Sequence, residues 1–335
     1  MLDALHPVAI FANGFGDCLI SLPALRAAAS FFKGRLTLVC PPGIARLFFS
    51  DLTLGVICGC EMRQVPQGRA FDADELSKRL MGCDLLLSFN STWHSPDVDR
   101  LLALLSPAAS VGFFPSFQIV LPRVPDKHSA DLAFDVTQRL KPSSRLEDFA
   151  APPVFPSKAH QLARQMRGLV PAGARVLVVH ADTKPEKMWP AERFVAVLDE
   201  FLEHHPDFIT FVVGSCRLPL DAGRHGKRVF LCYELPLPVS LALVGEADLF
   251  LGVDSCMLHA ADLFRVPGVG LFGPTNCAEW GFRIGPHRHV CGDDHCIQRV
   301  SVPDVLDALE SLLAETGAAR LPPLLVESEA APATL

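Results

Sequence analysis

The sequence has little charge and no positive surplus. Charged residues fill 20% of its 335 positions, hydrophobic ones 50%, and the formal net charge is −7. No basic stripe offsets that balance, which argues against nucleic acid as a general partner. No apolar run reaches membrane-spanning length without interruption; Leu235 to Val253 carries Glu246 and Asp248. The N-terminus holds Asp3 and lacks a basic segment, so no signal peptide is expected. No short-period repeat occurs. The eleven cysteines are scattered, mostly within apolar runs, and suggest reduced core thiols in the cytoplasm, not a disulfide framework. What is present suits an α/β chain with large buried sheets and room for two domains.

One stretch organises the rest: GVDSCMLHAADLFRVPGVGLFGPT, Gly252 to Thr275. Asp248 to Val253 reads as a buried strand. Asp254 and Ser255 form an N-cap pair, and Met257, Leu258, Ala261 and Phe264 recur at helix spacing. Val266 opens a second apolar run that closes on Gly273-Pro274-Thr275. A helix start presents unpaired N–H groups and partial positive charge, which suits a phosphate. His259 lies one turn inside and could reach the same anion. An ordinary capped helix with a packed histidine explains the pattern equally well.

Earlier in the chain, Val8 to Ala12 reads as a strand running into the loop Asn13-Gly14-Phe15-Gly16-Asp17. A helix opened by Pro23 follows, with Gly34 able to end it. Gly14 and Gly16 permit a tight turn and a close ligand. Asp17 is then either a helix-capping carboxylate or a group at the mouth of a parallel sheet. The position of a third dinucleotide-binding glycine holds Leu19, so that fingerprint is missing. Further strands are expected at Leu36–Cys40, Val56–Cys58, Met62–Val65, Asp84–Phe89 and Val111–Phe114. Helices are expected around Ile44–Phe49, over Asp72–Leu80, up to Leu105 and over Ala130–Leu140. Asp72-Ala73-Asp74 has the form of a DxD metal signature, but acids at a helix start are expected as caps. Asn90 to Pro96 is a polar loop at a strand's carboxyl end, where α/β sheets place ligands. Arg123, Lys127 and His128 read as a solvated basic loop.

Lys141 to Lys158 contains four prolines and marks the domain boundary. Alternation then restarts, with strands at Arg175–His180, Phe208–Val213 and Arg228–Cys232 and helices at Pro190–Glu203 and Val239–Gly245. The loop Ala181 to Pro190 brings Thr183, Lys184 and Lys187 to a strand's carboxyl end, where they could neutralise phosphates. His287, His289, Cys291, Asp293, Asp294, His295 and Cys296 are dense in metal-ligand types but fit no standard zinc spacing. Val302 to Glu315 reads as a helix, and residues 321–335 as a mobile tail.

Three segments in order, GDCLISLPALRAA, KMWPAERF and GVDSCMLHAADLFRVPGVGLFGPT, resemble the heptosyltransferase family. These are GT-B enzymes that move heptose from an ADP-sugar onto lipopolysaccharide core. The likeness runs from Val8 to Leu313. It implies two Rossmann-like, doubly wound parallel-sheet domains facing across a cleft. Residues 1–150 would form the acceptor side and 151–320 the nucleotide-sugar side. The resemblance makes Asp17 the catalytic base. It places Thr183, Lys187, Asp254, Ser255, Cys256, Met257 and His259 at the donor diphosphate and sugar, and Val239 against the nucleobase. Cys256 departs from the family's glycine. No acid follows Gly214 closely, Asp221 being the nearest, where the family holds the ribose.

The chemistry this implies is one inverting attack, with Asp17 taking the acceptor's proton and the donor-side cations meeting the leaving charge. No metal or other cofactor is required. The expected partners are a nucleotide-sugar donor, ADP-linked, and a saccharide or glycolipid acceptor, with at most peripheral membrane contact. A non-catalytic nucleotide-sugar binder, an epimerase of the same architecture, and a transferase acting on a natural product or protein are the alternatives.

Overall fold

The structure, a computed structural model, describes residues 1–11, 13–65, 68–220 and 224–317. Ala12, Asp221 and the expected tail at 321–335 lie outside the described residues.

The first half contributes β1 (Pro7–Ile10), β2 (Thr37–Cys40), β3 (Val56–Gly59), β4 (Arg63–Val65), β5 (Gly68–Ala70), β6 (Leu85–Ser88), β7 (Ala109–Gly112) and β8 (Ile119–Val120). Its helices are α1 (Phe15–Ile20), α2 (Leu22–Phe32), α3 (Ile44–Phe48), α4 (Ala73–Arg79), α5 (Pro96–Leu105) and α6 (Ser129–Leu140). The second half adds β9 (Arg175–His180), β10 (Phe208–Gly214), β11 (Val229–Tyr233), β12 (Leu249–Val253), β13 (Gly268–Phe272) and β14 (His287–Cys291). Around them lie α7 (Ser157–Arg167), α8 (Ala191–His204), α9 (Leu237–Val244), α10 (Cys256–Leu263), α11 (Cys277–Trp280) and α12 (Val302–Thr316).

The strands form two six-stranded sheets, ordered β3-β2-β1-β6-β7-β8 and β11-β10-β9-β12-β13-β14. Every pairing within them is parallel. Central strands such as β1, β6, β12 and β13 are buried throughout, which fits their near-continuous apolar runs. In each sheet the strand order reverses beside the first strand, between β1 and β6 and between β9 and β12. Doubly wound sheets bind ligands at the carboxyl ends of such strands. Both reversal points therefore lead into the candidate site.

The halves are not insulated from each other. One cluster of buried side chains runs from Ala9, Leu25 and Phe134 to Leu243, Phe250 and Phe272. Helix α1 packs on α10, while α7 packs on α9 and α12 on α8. The proline-rich connection is tied to α2, because Arg26 donates to the carbonyls of Phe149 and Pro152 at 3.3 and 2.9 Å.

Several readings need correction. The loop expected at 13–17 is already helix α1 from Phe15. Helix α7 begins inside the stretch read as linker, and β5, β8 and β14 were not anticipated. The β4–β5 ribbon is antiparallel. The strand expected at Val111–Phe114 starts at Ala109 instead. His128 is not part of a solvated loop. It is buried, caps α6 by accepting the Ala130 N–H at 3.1 Å, and bonds Gly281 O at 3.0 Å.

Candidate active site

The chain leaving β1 turns at Gly14, the N-cap of α1. Asp17 then falls at the third helical position, and its carboxylate accepts the Gly14 N–H at 2.9 Å. That bond satisfies one orphan donor of the helix start. The same carboxylate lines the cleft, so the capping reading and the site reading describe one placement. Its pKa is raised, chiefly by burial. The Gly14 N–H opposes this, Asp254 adds to it, and Arg69 and Lys187 pull it back down.

The loop after β9 is held at both ends. Buried Trp189 donates to Val300 O at 3.1 Å. Asp182 accepts the Ser215 hydroxyl and the Cys216 N–H, each at 2.9 Å, and so joins this loop to the one after β10. Gly214 has φ +123, and a Cβ there would lie 2.5 Å from Asp182 Oδ2; glycine is required on both counts. Between these anchors, Thr183 Oγ1 donates to Asp254 O at 2.8 Å and Lys187 Nζ reaches Asp254 Oδ2 at 2.6 Å.

After β12 comes Asp254, 7% exposed, then Ser255, which caps α10 by accepting the Met257 N–H at 3.3 Å. Besides Lys187, Asp254 accepts the Thr275 hydroxyl at 2.8 Å and faces His259 Nε2 at 3.8 Å. Burial lowers the His259 pKa to about 4, against the pull of Asp254, so the ring is neutral at pH 7. Gly16 lies against it: a Cβ there would meet His259 Cδ2 at 3.1 Å. This missing side chain lets α1 rest on the first turn of α10.

These groups share one cavity of about 550 Å³. Of the expected site residues, Gly14, Gly16, Asp17, Thr183, Lys187, Asp254, Ser255, Cys256 and His259 line it. Val239 and Met257 do not; both are buried in the core, at 5% and 3% exposure. The cavity also takes Gln64 and Arg69, which sit opposite each other on the β4–β5 ribbon. Trp93 donates its indole N–H to Asn13 Oδ1 at 3.1 Å and covers Gly68, linking the ribbon to the segment that carries Asp17. Sequence reasoning missed Gln64, Gly68 and Arg69, whereas Asn13 and Trp93 fall in loops it placed at strand mouths. The available signal was the Val65-Pro66-Gln67-Gly68 run after an expected strand, which marks a hairpin.

Other candidates lie elsewhere. Asp72 caps α4 through the Glu75 N–H at 2.9 Å, and Asp74 pairs with Arg100 at 2.6 Å. Lys127 pairs with Asp135 at 2.7 Å. His287 and His289 lie on strand β14 with tilted rings, centroids 4.6 Å apart. Among the described residues no group of three or more His, Cys, Asp or Glu side chains is arranged to hold a metal ion. All eleven cysteines are free. Among the described residues no helix is long and apolar enough to cross a membrane.

A family model described as glycosyltransferase family 9 (heptosyltransferase) matches residues 111–308. No curated protein matches the chain. Among solved structures, a family 9 glycosyl transferase from Veillonella parvula DSM 2008 is 17% identical, with 94% of this chain and 98% of that chain covered and a TM-score of 0.73. The E. coli ADP-heptose lps heptosyltransferase II is 13% identical, with 93% and 99% covered and a TM-score of 0.66. E. coli heptosyltransferase WaaC with ADP is 14% identical, with 92% and 99% covered and a TM-score of 0.60. At these identities the likeness is one of fold, and that fold is GT-B: two Rossmann-like parallel sheets facing across a cleft.

Proposed function

Because the chain belongs to glycosyltransferase family 9, the heptosyltransferase family, we propose that this glycosyltransferase moves a sugar from a nucleotide-diphosphate donor to an acceptor hydroxyl with inversion. ADP-heptose is the donor the reading favours, and a lipopolysaccharide-core or related saccharide the acceptor. The observation that carries it is the sharing of one cavity by Asp17 from the first half and Lys187 and Asp254 from the second.

In this reading the acceptor hydroxyl lies against Asp17. A carboxylate held within hydrogen-bond reach assists proton removal by ~10²–10⁴-fold. Its pKa, raised chiefly by burial, makes it a stronger base than a solvated aspartate. The departing diphosphate gains charge that must be met by groups already in place. Lys187, the Thr183 hydroxyl and the first N–H groups of α10 supply them. Asp254 holds Lys187 in position by their 2.6 Å contact. No metal is given a part in the step. The reading divides the chain into an acceptor side at 1–150 and a donor side at 151–320. The packing of α6 on α2, and of α7 on α9, supports that division.

A thermal-shift panel of ADP, UDP and GDP tests the donor. A ligand at 100-fold its dissociation constant stabilises by ~2.7 kcal/mol, a readable shift. ADP should stabilise most. Equal responses to all three nucleotides would sink the ADP-heptose reading, and no response to any would sink the nucleotide site.

A further inference from the structure

The segment 275–283 belongs to two structures at once. Thr275 and Trp280 line the cleft cavity. Two more of its side chains meet the first half: Asn276 Nδ2 donates to Asp126 Oδ1 at 2.7 Å, and Arg283 pairs with Asp131 at 2.9 Å. The Asp126 N–H donates to Glu279 at 3.2 Å.

Strand β14 buttresses this segment from its own sheet. His289 Nε2 accepts the Phe282 N–H at 2.9 Å. Two residues on, and so on the same face of the strand, Cys291 places its sulfur 2.9 Å from that of Cys277, with its S–H donating. The pair differs from the core thiols. Cys291 is exposed and Cys277 half-buried, whereas Cys18, Cys40, Cys58, Cys60 and Cys83 are buried. Burial, the bond to Cys277 and the charge of that neighbour push the Cys291 pKa up to about 12. Cys291 thus keeps its proton and directs its S–H at the Cys277 sulfur.

We propose that Cys277 and Cys291 are a redox modification site, closing to an intramolecular disulfide that ties segment 275–283 to β14. The sulfurs need only approach from 2.9 Å to the ~2.05 Å of a bond. The oxidant is a low-molecular-weight disulfide of the glutathione class. The Cys277 thiolate attacks one of its sulfurs, breaking the S–S bond and releasing one thiolate that takes up a proton. Cys291 loses its proton and attacks the Cys277 sulfur of this mixed disulfide, releasing the second small thiol. Two protein thiols are oxidised, and one small disulfide is reduced to two thiols. The inference is independent of the glycosyl donor.

The test uses the full chain, incubated with oxidised glutathione and then mapped as unreduced peptides after alkylation. The expected result is one linked peptide pair joining Cys277 to Cys291, two fewer alkylatable thiols, and slower amide exchange over 276–283. Dithiothreitol should reverse all three. Cys291→Ser should give only a glutathione adduct on Cys277 and no slowing of exchange. Full alkylation of both thiols after oxidation, or a link from Cys291 to Cys296, overturns the site. A correct link with unchanged exchange overturns the tie.

Discussion

Lys187 Nζ and Asp254 Oδ2 sit 2.6 Å apart, with side chains 21% and 8% exposed, at the floor of the cleft. The lysine that the proposal assigns to a diphosphate already has an internal anion. Asp254 in turn accepts Thr275 and stands near His259. On the proposed reading, a bound nucleotide would meet a cation that is oriented but already neutralised. On that reading the pair would govern both affinity and stability.

Replacing Lys187 with Met should weaken ADP binding by about 10- to 100-fold, the loss of one or two charge-assisted hydrogen bonds. It should also destabilise the fold by roughly 1–3 kcal/mol, since Asp254 is left with an uncompensated, largely buried charge. Adding Asp254→Asn should restore stability but not affinity. Calorimetry and urea unfolding of the single and double variants read the two effects separately. Unchanged ADP affinity in Lys187→Met would remove this residue from the donor site.

Asp17→Asn keeps the shape of the side chain and loses the base. Transfer should fall ~10²–10⁴-fold while ADP affinity stays within a few-fold of wild type. The amide oxygen can still accept the Gly14 N–H, so α1 keeps its cap. Near wild-type turnover with a competent donor and acceptor would show that another group takes the proton.

Gly214→Ala should destabilise by about 1–3 kcal/mol, because φ +123 strains an L side chain and its Cβ would meet Asp182 at 2.5 Å. The loss should come with weaker nucleotide binding, since Asp182 anchors the loop that carries Lys187. Gly173→Ala is the control, with φ +84 but nothing within 4 Å of the added Cβ. It carries backbone strain alone and should leave nucleotide binding unchanged.

His259 predicts a pH dependence. Its pKa is about 4 in the folded chain against the ordinary 6.5 of a solvated histidine, so the unfolded chain binds the proton first. Stability should be constant above about pH 6.5 and fall as pH drops toward 4, by up to about 3 kcal/mol from this residue. In His259→Gln that part of the slope should vanish, as read from urea midpoints between pH 7 and 4.5. An identical slope in the variant would mean the ring is not buried neutral.

Much of the architecture was legible because it is local. Val176 to Val179 and Leu249 to Val253 are apolar runs that suit buried parallel strands, and Asp254-Ser255 announces a helix start. Asp17, Lys187 and Asp254 could each be placed at a strand's carboxyl end. The start of α1 was harder to read, since Gly14 and Gly16 look like loop residues until Gly16 is seen against His259. Strand β14 was hidden because its histidines and cysteines resembled ligands more than a strand. Of the β4–β5 ribbon only β4 was expected; β5 was hidden because Gly68 packs under Trp93, 25 residues further on.

The amino-acid order by itself determined which strands are buried, where helices begin and which side chains end up at strand mouths. Each of those depends on periodicity and caps over a few neighbouring residues. Only the tertiary structure decided that Asp17 and Lys187 share a cavity, that Asp254 neutralises the lysine, that Arg69 joins them, and that Val239 does not. Those facts turn on how two sheets sit against each other, and that placement comes from packing between residues far apart in the chain.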